Sequence, residues 1–540
     1  MADQMRFDAT GAAGSGWART PNLDRLAAEG CFFENAFCTN PVCTPARHNI
    51  LTGLPPRFHG YWRNSPQPWD KDLPVMPRLL SRAGYVTQAI GHMGFRPQRH
   101  DHGFDGMLLA EHAANNRDDN DYALYLKDAG FGHVRNIFGV ANLIRFQPQR
   151  SLIPEEHHLT TWIADRSIEF LRDNRDRPFF LWSSWFAPHA PFQVPESFSQ
   201  VLAAAPIPDP VRRLSPLPPK AQAYSQHEEV IGAEQLRRSR ELYHSAVSMI
   251  DKNIGRLLDE LEALALADDT LVLFTSDHGD NLGDLGCFNK SLPYRSCCRI
   301  PMILRVPGRV AARSRYDDFV DLNDILPTFL DAAGLAYPGE AELPGESLLA
   351  DAPDKDRSVQ YLENDFGQQR WISLQDHRYQ YVYWYGDGIE ELYDLKEDPG
   401  QQVDLMHAPL TPAATAARDQ LRARLTEYES RWGMPDGVQN GDLTVMPEAR
   451  WTAARHNHFE CWPENLPDDD ERAAVNPNEY EILRAVRDEP LVDLARLDLD
   501  AWVKAGGSQA FAHRLRTESV ADLLMEYERR SQAQRGGRSK

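Results

Sequence analysis

The chain has 540 residues, 42% of them hydrophobic and 25% charged, which is long enough for one large core domain with smaller units attached. Its formal net charge of −21 argues against general nucleic-acid binding and requires that any anionic substrate be met by locally placed cations. No apolar run has the length of a membrane span, and the seven cysteines show neither zinc spacing nor an even-numbered disulfide framework.

No secretory pattern opens the chain, so a cytoplasmic protein is expected. By position alone, Asp3 and Gln4 read as a solvated, frayed terminus. Thr20 to Gly30 predicts a capped helix, with Thr20 as cap, Pro21 in the first turn and Leu23 and Leu26 on one face. The stretch Asn40 to Gly53 follows, reading Asn-Pro-Val-Cys-Thr-Pro-Ala-Arg-His-Asn-Ile-Leu-Thr-Gly. Thr44 is its expected N-cap, Pro45 the first helical residue and Gly53 the stop. Cys43 then stands at a helix N-terminus, where free N–H groups and the dipole favour an anion, and Arg47 adds a planar cationic fork one turn in. Taken alone, such a cysteine also reads as a buried cap of an ordinary helix.

Pro74 to Gly84 predicts a helix and Tyr85 to Ile90 a short strand, ending at Gly91-His92-Met93-Gly94. His92 reads equally as a packed strand-end histidine or as a site residue. Residues 111–155 are polar and irregular, which predicts a surface insertion bordering a cleft. His157 to Arg172 predicts a helix and Phe179 to Ser184 a buried strand. His189 comes next, between Pro188 and Pro191, in a stiffened loop that suits a positioned proton donor. After an irregular stretch at 201–235, Leu242 to Leu264 carries Ala246, Ile250, Ile254, Leu257, Leu258 and Leu261 at helical spacing, a core stripe.

A short apolar strand from Leu271 runs into Ser276-Asp277-His278-Gly279. An Asp-His pair at the carboxyl end of a strand in a parallel sheet is well placed for a metal. Lys290 alone reads as a surface lysine, and Cys297 and Cys298 as packing residues. Val320 to Gly334 predicts a helix on the sheet. Residues 358–400 switch to strand alternation, and Leu410 to Trp432 predicts a helix packed on that unit. Beyond 440 come a linker at 433–447, an acidic run at 467–471 and helices near 477–488 and 507–531. Tyr480, Ile482, Leu483 and Val486 offer an apolar face that would cover the parent domain or a partner subunit.

Cys43-x-Pro45-x-Arg47 with Thr52-Gly53 resembles the signature of the formylglycine-dependent (type I) sulfatases of the alkaline phosphatase superfamily. Five such residues would occur by chance in a chain of this length with odds on the order of 10⁻⁴. The Thr20 to Leu26 run, the Pro188-His189-x-Pro191-Phe192 loop, Thr275-Ser-Asp-His-Gly279 and Lys290 resemble the same family, in its order, over about residues 1–435. The resemblance implies that Cys43 is oxidised to formylglycine by a formylglycine-generating enzyme and that the hydrated aldehyde is the nucleophile. It implies that Arg47, His189, Lys290 and His92 serve the sulfate, with His189 at the leaving-group oxygen. Asp3, Gln4, Cys43, Asp277 and His278 would hold one divalent cation, Ca²⁺ by analogy.

Two features depart from the pattern. The family's Gly-Lys-x-His appears as Gly91-His92-Met93-Gly94, and no apolar strand precedes Asp3, so the first strand is expected to be missing. A start further upstream would supply it, and a signal peptide would sit there. The expected fold is α/β, a large, mixed and mostly parallel central sheet flanked by helices, plus a smaller C-terminal antiparallel sheet with a packed helix. The expected units are a catalytic domain at 1–357, a subdomain at 358–435 and a helical tail at 436–540, which would offer a surface for a homo-oligomer. The expected function is metal-dependent hydrolysis of sulfate esters, on a sulfated carbohydrate or aryl sulfate, with no nucleic acid and no membrane span. The alternatives are a phosphonate or phosphate ester hydrolase, since Asp-Gln combined with Asp-His resembles the phosphonate monoester hydrolases, and a catalytically impaired anion-binding homologue.

Overall fold

The computed structural model describes residues 1–64, 72–114, 117–141, 144–222, 231–350, 354–365, 370–446, 477–489, 497, 499–504 and 508–537. The acidic run at 467–471, Cys461, residues 115–116 and residues 223–230 lie outside the described residues.

The strands, in chain order, are β1 (Ala2–Asp3), β2 (Cys31–Phe37), β3 (Val86–Gly91), β4 (Gly106–Leu109), β5 (Gln149–Arg150), β6 (Phe179–Pro188), β7 (Gln193–Val194), β8 (Val272–Thr275), β9 (Met302–Arg305) and β10 (Ser314–Asp321). Eight of them form two half-sheets, one ordered β1-β6-β3-β4 and parallel throughout, the other ordered β10-β2-β9-β8, while β5 and β7 pair with each other. In the second, β2 runs parallel to β10 and antiparallel to β9. Ala2 also bridges to Ser276 just beyond β8, so β1 joins the halves. Two residues, Ala2 and Asp3, form the first strand, no longer apolar run precedes Asp3, and the Met1 ammonium donates to the Ser183 carbonyl at 2.8 Å. Behind them, between β6 and β8, lies a cavity of about 720 Å³ lined by side chains such as Trp182, Leu273 and Phe329.

Helices cover both faces. Leu159–Asp173 and Ala233–Ala263 pack on one side around Leu242, Ile250, Trp162 and Ile163. Cys43–Thr52, Met76–Arg82 and Ile325–Ala332 pack on the other around Ile50, Leu80 and Leu326. The long helix starts at Ala233, nine residues before Leu242, with Gly232 at its N-cap; its first turn is exposed to half-buried and burial begins at Arg238.

Two further expectations are corrected. Val320 to Gly334 is not one helix: Phe319 and Val320 belong to β10, where they pair with β2, and the Asp321 carboxylate caps a short turn before the helix at Ile325. The 111–155 insertion is not a polar surface loop, since Tyr122, Leu126, Val134, Ile137 and Phe138 are buried in the main core.

The antiparallel unit is as expected: β11 (Gln360–Asn364), β12 (Trp371–Gln375), β13 (Tyr379–Trp384) and β14 (Ile389–Asp394) in sequential order, with helix Pro412–Trp432 packed on it. In the C-terminal tail, Ile482, Leu483 and Val486 are buried against Val140 and Ile144, so the apolar face is covered within the chain itself. Among the described residues no helix is long and apolar enough to cross a membrane.

Candidate active site

The sheet gathers its strand ends at one edge, as parallel sheets do. Asp3 closes β1, His92 follows β3, His189 follows β6, and Asp277 stands two residues beyond β8. A helix N-terminus meets them there. That helix begins at Cys43 itself, with Val42 rather than Thr44 at the cap. Thr44 does not cap because its hydroxyl donates to the Gly94 carbonyl at 3.0 Å, while its N–H is taken by Asn64 Oδ1 at 2.9 Å. Gly53 ends the helix as expected, at φ 69°.

The Cys43 sulfur lies 2.8 Å from Lys290 Nζ, 3.3 Å from His278 Nε2 and 3.8 Å from Asp3 Oδ1. One donor atom each from Asp3, Cys43, Asp277 and His278 fits within 4.8 Å of all the others, and all four residues are buried. Asp3 and Gln4 are fully enclosed, the opposite of a frayed terminus.

These residues fit a divalent cation. His278 Nδ1 donates to the Gly279 carbonyl at 2.9 Å, which leaves the Nε2 lone pair toward the cluster. Burial pushes the His278 imidazole down to about 4, so it is neutral and able to ligate. Gln4, at φ 68°, spends its side-chain amide on Asp280 and Asn289, and its buried Oε1 has no hydrogen-bond partner. A buried amide oxygen left without a hydrogen-bond partner fits the role of a cation ligand.

Arg47 is wholly buried and points its fork at the carboxylates, Nη2 to Asp3 Oδ2 and Nε to Asp277 Oδ2, both at 2.9 Å. Nη1 donates to the His92 carbonyl and to Ser184 Oγ. Arg47 therefore orients Asp3 and Asp277, where the sequence had suggested direct anion contact. Burial alone would raise Asp3, but the His189 imidazole, the Lys290 ammonium, a His92 hydrogen bond and the Arg47 guanidinium hold it well below the carboxylate range. Burial, reinforced by the Asp3 charge, pushes the Cys43 thiol up to about 12 despite Lys290. The unmodified cysteine is thus a thiol, unsuited to act as a thiolate nucleophile.

His92 turns both ring nitrogens to carboxylates, Nε2 to Asp3 Oδ2 at 3.2 Å and Nδ1 to Glu111 Oε2 at 3.0 Å. Burial works against its charge, but Glu111 and Asp3 raise its pKa overall. Gly94 sits at φ 60°, and a Cβ there would meet Arg47 Cδ at 3.1 Å and His92 Nε2 at 3.6 Å. His189 donates from Nδ1 to the Ala190 carbonyl at 2.6 Å, which leaves Nε2 for proton exchange. Burial and then Lys290 lower its pKa well below the ordinary histidine value.

All the predicted residues thus converge, but sequence reasoning missed Glu111, which takes the N–H groups of Met93 and Gly94 at 2.8 and 3.0 Å besides holding His92. Its signal was weak, a carboxylate two residues past the end of β4. Asp280 and Asn289, the partners of Gln4, were also missed, although both lie in the motif-bearing stretch around Asp277 and Lys290.

A family model described as Sulfatase matches residues 1–335, and one described as N-sulphoglucosamine sulphohydrolase, C-terminal, matches residues 283–431. An arylsulfatase of Clostridium perfringens is 30% identical over 434 residues, covering 76% of this chain and 89% of that protein. The human N-acetylgalactosamine-6-sulfatase is 30% identical over 379 residues, covering 65% of this chain and 64% of that protein. Among solved structures, the phosphonate monoester hydrolase of Agrobacterium radiobacter superimposes with a TM-score of 0.67 at 23% identity, covering 80% of this chain and 94% of its own. A protein solved in complex with its substrate D-glucosamine-2-N,6-O-disulfate gives 0.65 at 22% identity, covering 80% and 97%. At these identities the structural likeness speaks for the fold alone.

Proposed function

The chain belongs to the sulfatase family and is a sulfuric ester hydrolase, and from that premise we propose that it cleaves the sulfate ester of a sulfated saccharide or aryl alcohol with a formylglycine made from Cys43 and one divalent cation. The carrying observation is the convergence of Cys43, Lys290, His278, Asp3 and Asp277 on one buried point at a helix N-terminus. The saccharide reading draws on relatives named N-acetylgalactosamine-6-sulfatase and N-acetylglucosamine-6-O-sulfatase.

Asp3, Gln4, Asp277, His278 and the oxidised residue 43 would hold the cation, calcium by family resemblance. Together the two groups would supply a nucleophilic hydroxyl for attack at sulfur and a means of releasing the sulfate afterwards. The chain's own residues do the rest. Arg47 fixes the Asp3 and Asp277 carboxylates, so the ligands are preorganised. Lys290 places an ammonium 2.8 Å from the reacting position, where it neutralises developing charge and can hand a proton to the leaving oxygen. His189, its Nδ1 fixed on Ala190, exchanges a proton through Nε2 on the alcohol side. His92 is locked between Asp3 and Glu111, so it serves as a fixed cation behind the ligand shell, in place of the family's lysine, and not as a mobile base.

Mass spectrometry of the Cys43 peptide, after co-expression with a formylglycine-generating enzyme, tests this reading together with turnover of 4-nitrophenyl sulfate. Loss of the sulfur atom from residue 43 with sulfate release is the expected result. An intact thiol with no turnover refutes it, and faster cleavage of the matching phosphonate ester would move the activity to that class.

A further inference from the structure

The C-terminal helices reach the active site through one loop. In helix Pro477–Asp488, the buried Glu481 carboxylate accepts the backbone N–H of Arg135 at 2.6 Å, that of Asn136 at 2.9 Å, and the Asn136 side-chain amide at 2.6 Å. Three donors on one buried carboxylate make a strong anchor, since leaving any of them unpaired carries its full desolvation cost. At the other end of the same loop, Glu489 stands 3.6 Å from Arg150 and 3.2 Å from Arg238. Between these anchors, Val140 and Ile144 are buried with Ile482, Leu483, Val486 and Phe511 of the tail. The loop is thus clasped at Arg135 and Asn136, at Val140 and Ile144, and at Arg150.

That clasped loop forms the backing of the site. The Phe138 ring packs edge-on against Phe186 at 5.0 Å, and Phe186 in turn packs on His189 at 4.7 Å and His92 at 5.3 Å. His112 lies 5.2 Å from Phe186 and 5.8 Å from His189. Gln149 closes the loop on itself through the Val140 and Ile144 carbonyls, and β5 pairs with β7, one residue past Phe192 in the His189 loop. The tail, the loop and the His189 segment form one connected stack.

We propose that Glu481 is a positioning residue, through which the C-terminal helices set the active-site wall beside His189 and so determine which alcohol portion of a sulfate ester is accepted. The claim rests on the reading of His189 as the group on the leaving-alcohol side. This wall meets the sulfate-binding centre of Cys43, Lys290 and Asp277 through His189 and through His92, which holds Asp3. A small aryl ester needs only that centre, whereas a sulfated sugar also needs the wall.

The test compares the full-length protein with Glu481→Gln, and with Asn136→Ala, which weakens the same contact from the loop side. Hydrogen exchange is followed over residues 134–150 and 186–194, and kcat and KM are measured on 4-nitrophenyl sulfate and N-acetylgalactosamine 6-sulfate. Faster exchange in both segments is expected, with kcat/KM on the sugar falling roughly tenfold, mainly through KM, and the aryl ester changing less than about threefold. The Asn136→Ala effect runs the same way and is smaller. An equal fall on both substrates, or faster exchange confined to 477–537, overturns the proposal. Should the unmutated protein cleave no sulfate ester, the proposed function fails while the exchange pattern still decides the positioning claim.

Discussion

Replacing Glu111 by Gln tests whether the His92 arrangement is what the geometry makes it. Glu111 is 2% exposed; its Oε1 takes two backbone N–H groups and its Oε2 faces His92 Nδ1. The amide preserves the first acceptor but turns an NH₂ toward a ring nitrogen that needs an anion. Burial would raise the Glu111 carboxyl, but the His92 charge and hydrogen bond, with Arg96 and the Gly94 N–H, lower it to about 2 from an ordinary 4.5. That difference amounts to about 3 kcal/mol of stability at neutral pH. The sign follows from proton binding: between these values the unfolded chain holds more protons, so the contribution is complete above 4.5 and is lost as the pH falls through about 2. At about pH 3 roughly 1 kcal/mol remains. Urea unfolding of both proteins at neutral and acid pH is the assay. The variant should be about 3 kcal/mol weaker at pH 7, and the gap should narrow toward pH 3. A gap under about 1 kcal/mol at pH 7, or one independent of pH, would refute the His92–Glu111 pairing as a structural charge pair.

Two further outcomes follow from the same site. Lys290→Ala should lower kcat on an aryl sulfate by roughly 10²- to 10⁴-fold with little change in KM, because the ammonium acts where charge develops; a loss below about tenfold in steady-state kinetics contradicts that placement. Arg47→Lys removes the fork that spans Asp3 and Asp277, so Tm should fall most in chelator-treated protein and recover in part with added Ca²⁺; an identical Tm with and without the metal contradicts the ligand assignment.

What the sequence disclosed was local chemistry at strand ends. Cys43, Asp277, His278, His189 and Lys290 each sit in a short run whose residue types and spacing carry their own meaning. The antiparallel unit was legible for the same reason, since strand alternation needs no partner to be seen. The misses were matters of pairing across distance. Thr44 looked like a cap until the Gly94 carbonyl, 50 residues away, claimed its hydroxyl. Val320 and Asp321 fit a helix until β2 offered them a ladder. The 111–155 stretch looked like surface because its apolar residues are scattered among polar ones, and only the packed core shows Tyr122 and Phe138 turned inward. Glu481 bonds to residues 345 and 346 positions earlier, so no local pattern could mark it.

The departure at positions 92 and 94 shows how geometry reinterprets a sequence gap. Read along the chain, Gly91-His92-Met93-Gly94 is a site that has lost a lysine and a histidine. Read in space, it is one compact solution. Arg47 lies so close to residue 94 that a Cβ would meet its Cδ at 3.1 Å, and the positive φ favours glycine there. The space above Gly94 is bordered by His92, whose Nε2 reaches the same Asp3 Oδ2 that Arg47 Nη2 holds. A Cβ at 94 would crowd Arg47, whereas its 3.6 Å from His92 Nε2 is ordinary contact. On the proposed function His92 supplies the cation that the lysine would have brought, and the two positions are coupled through Arg47, which packs on residue 94 and shares Asp3 Oδ2 with His92. Restoring histidine at 94 alone should then disturb Arg47 and His92 together rather than repair the site.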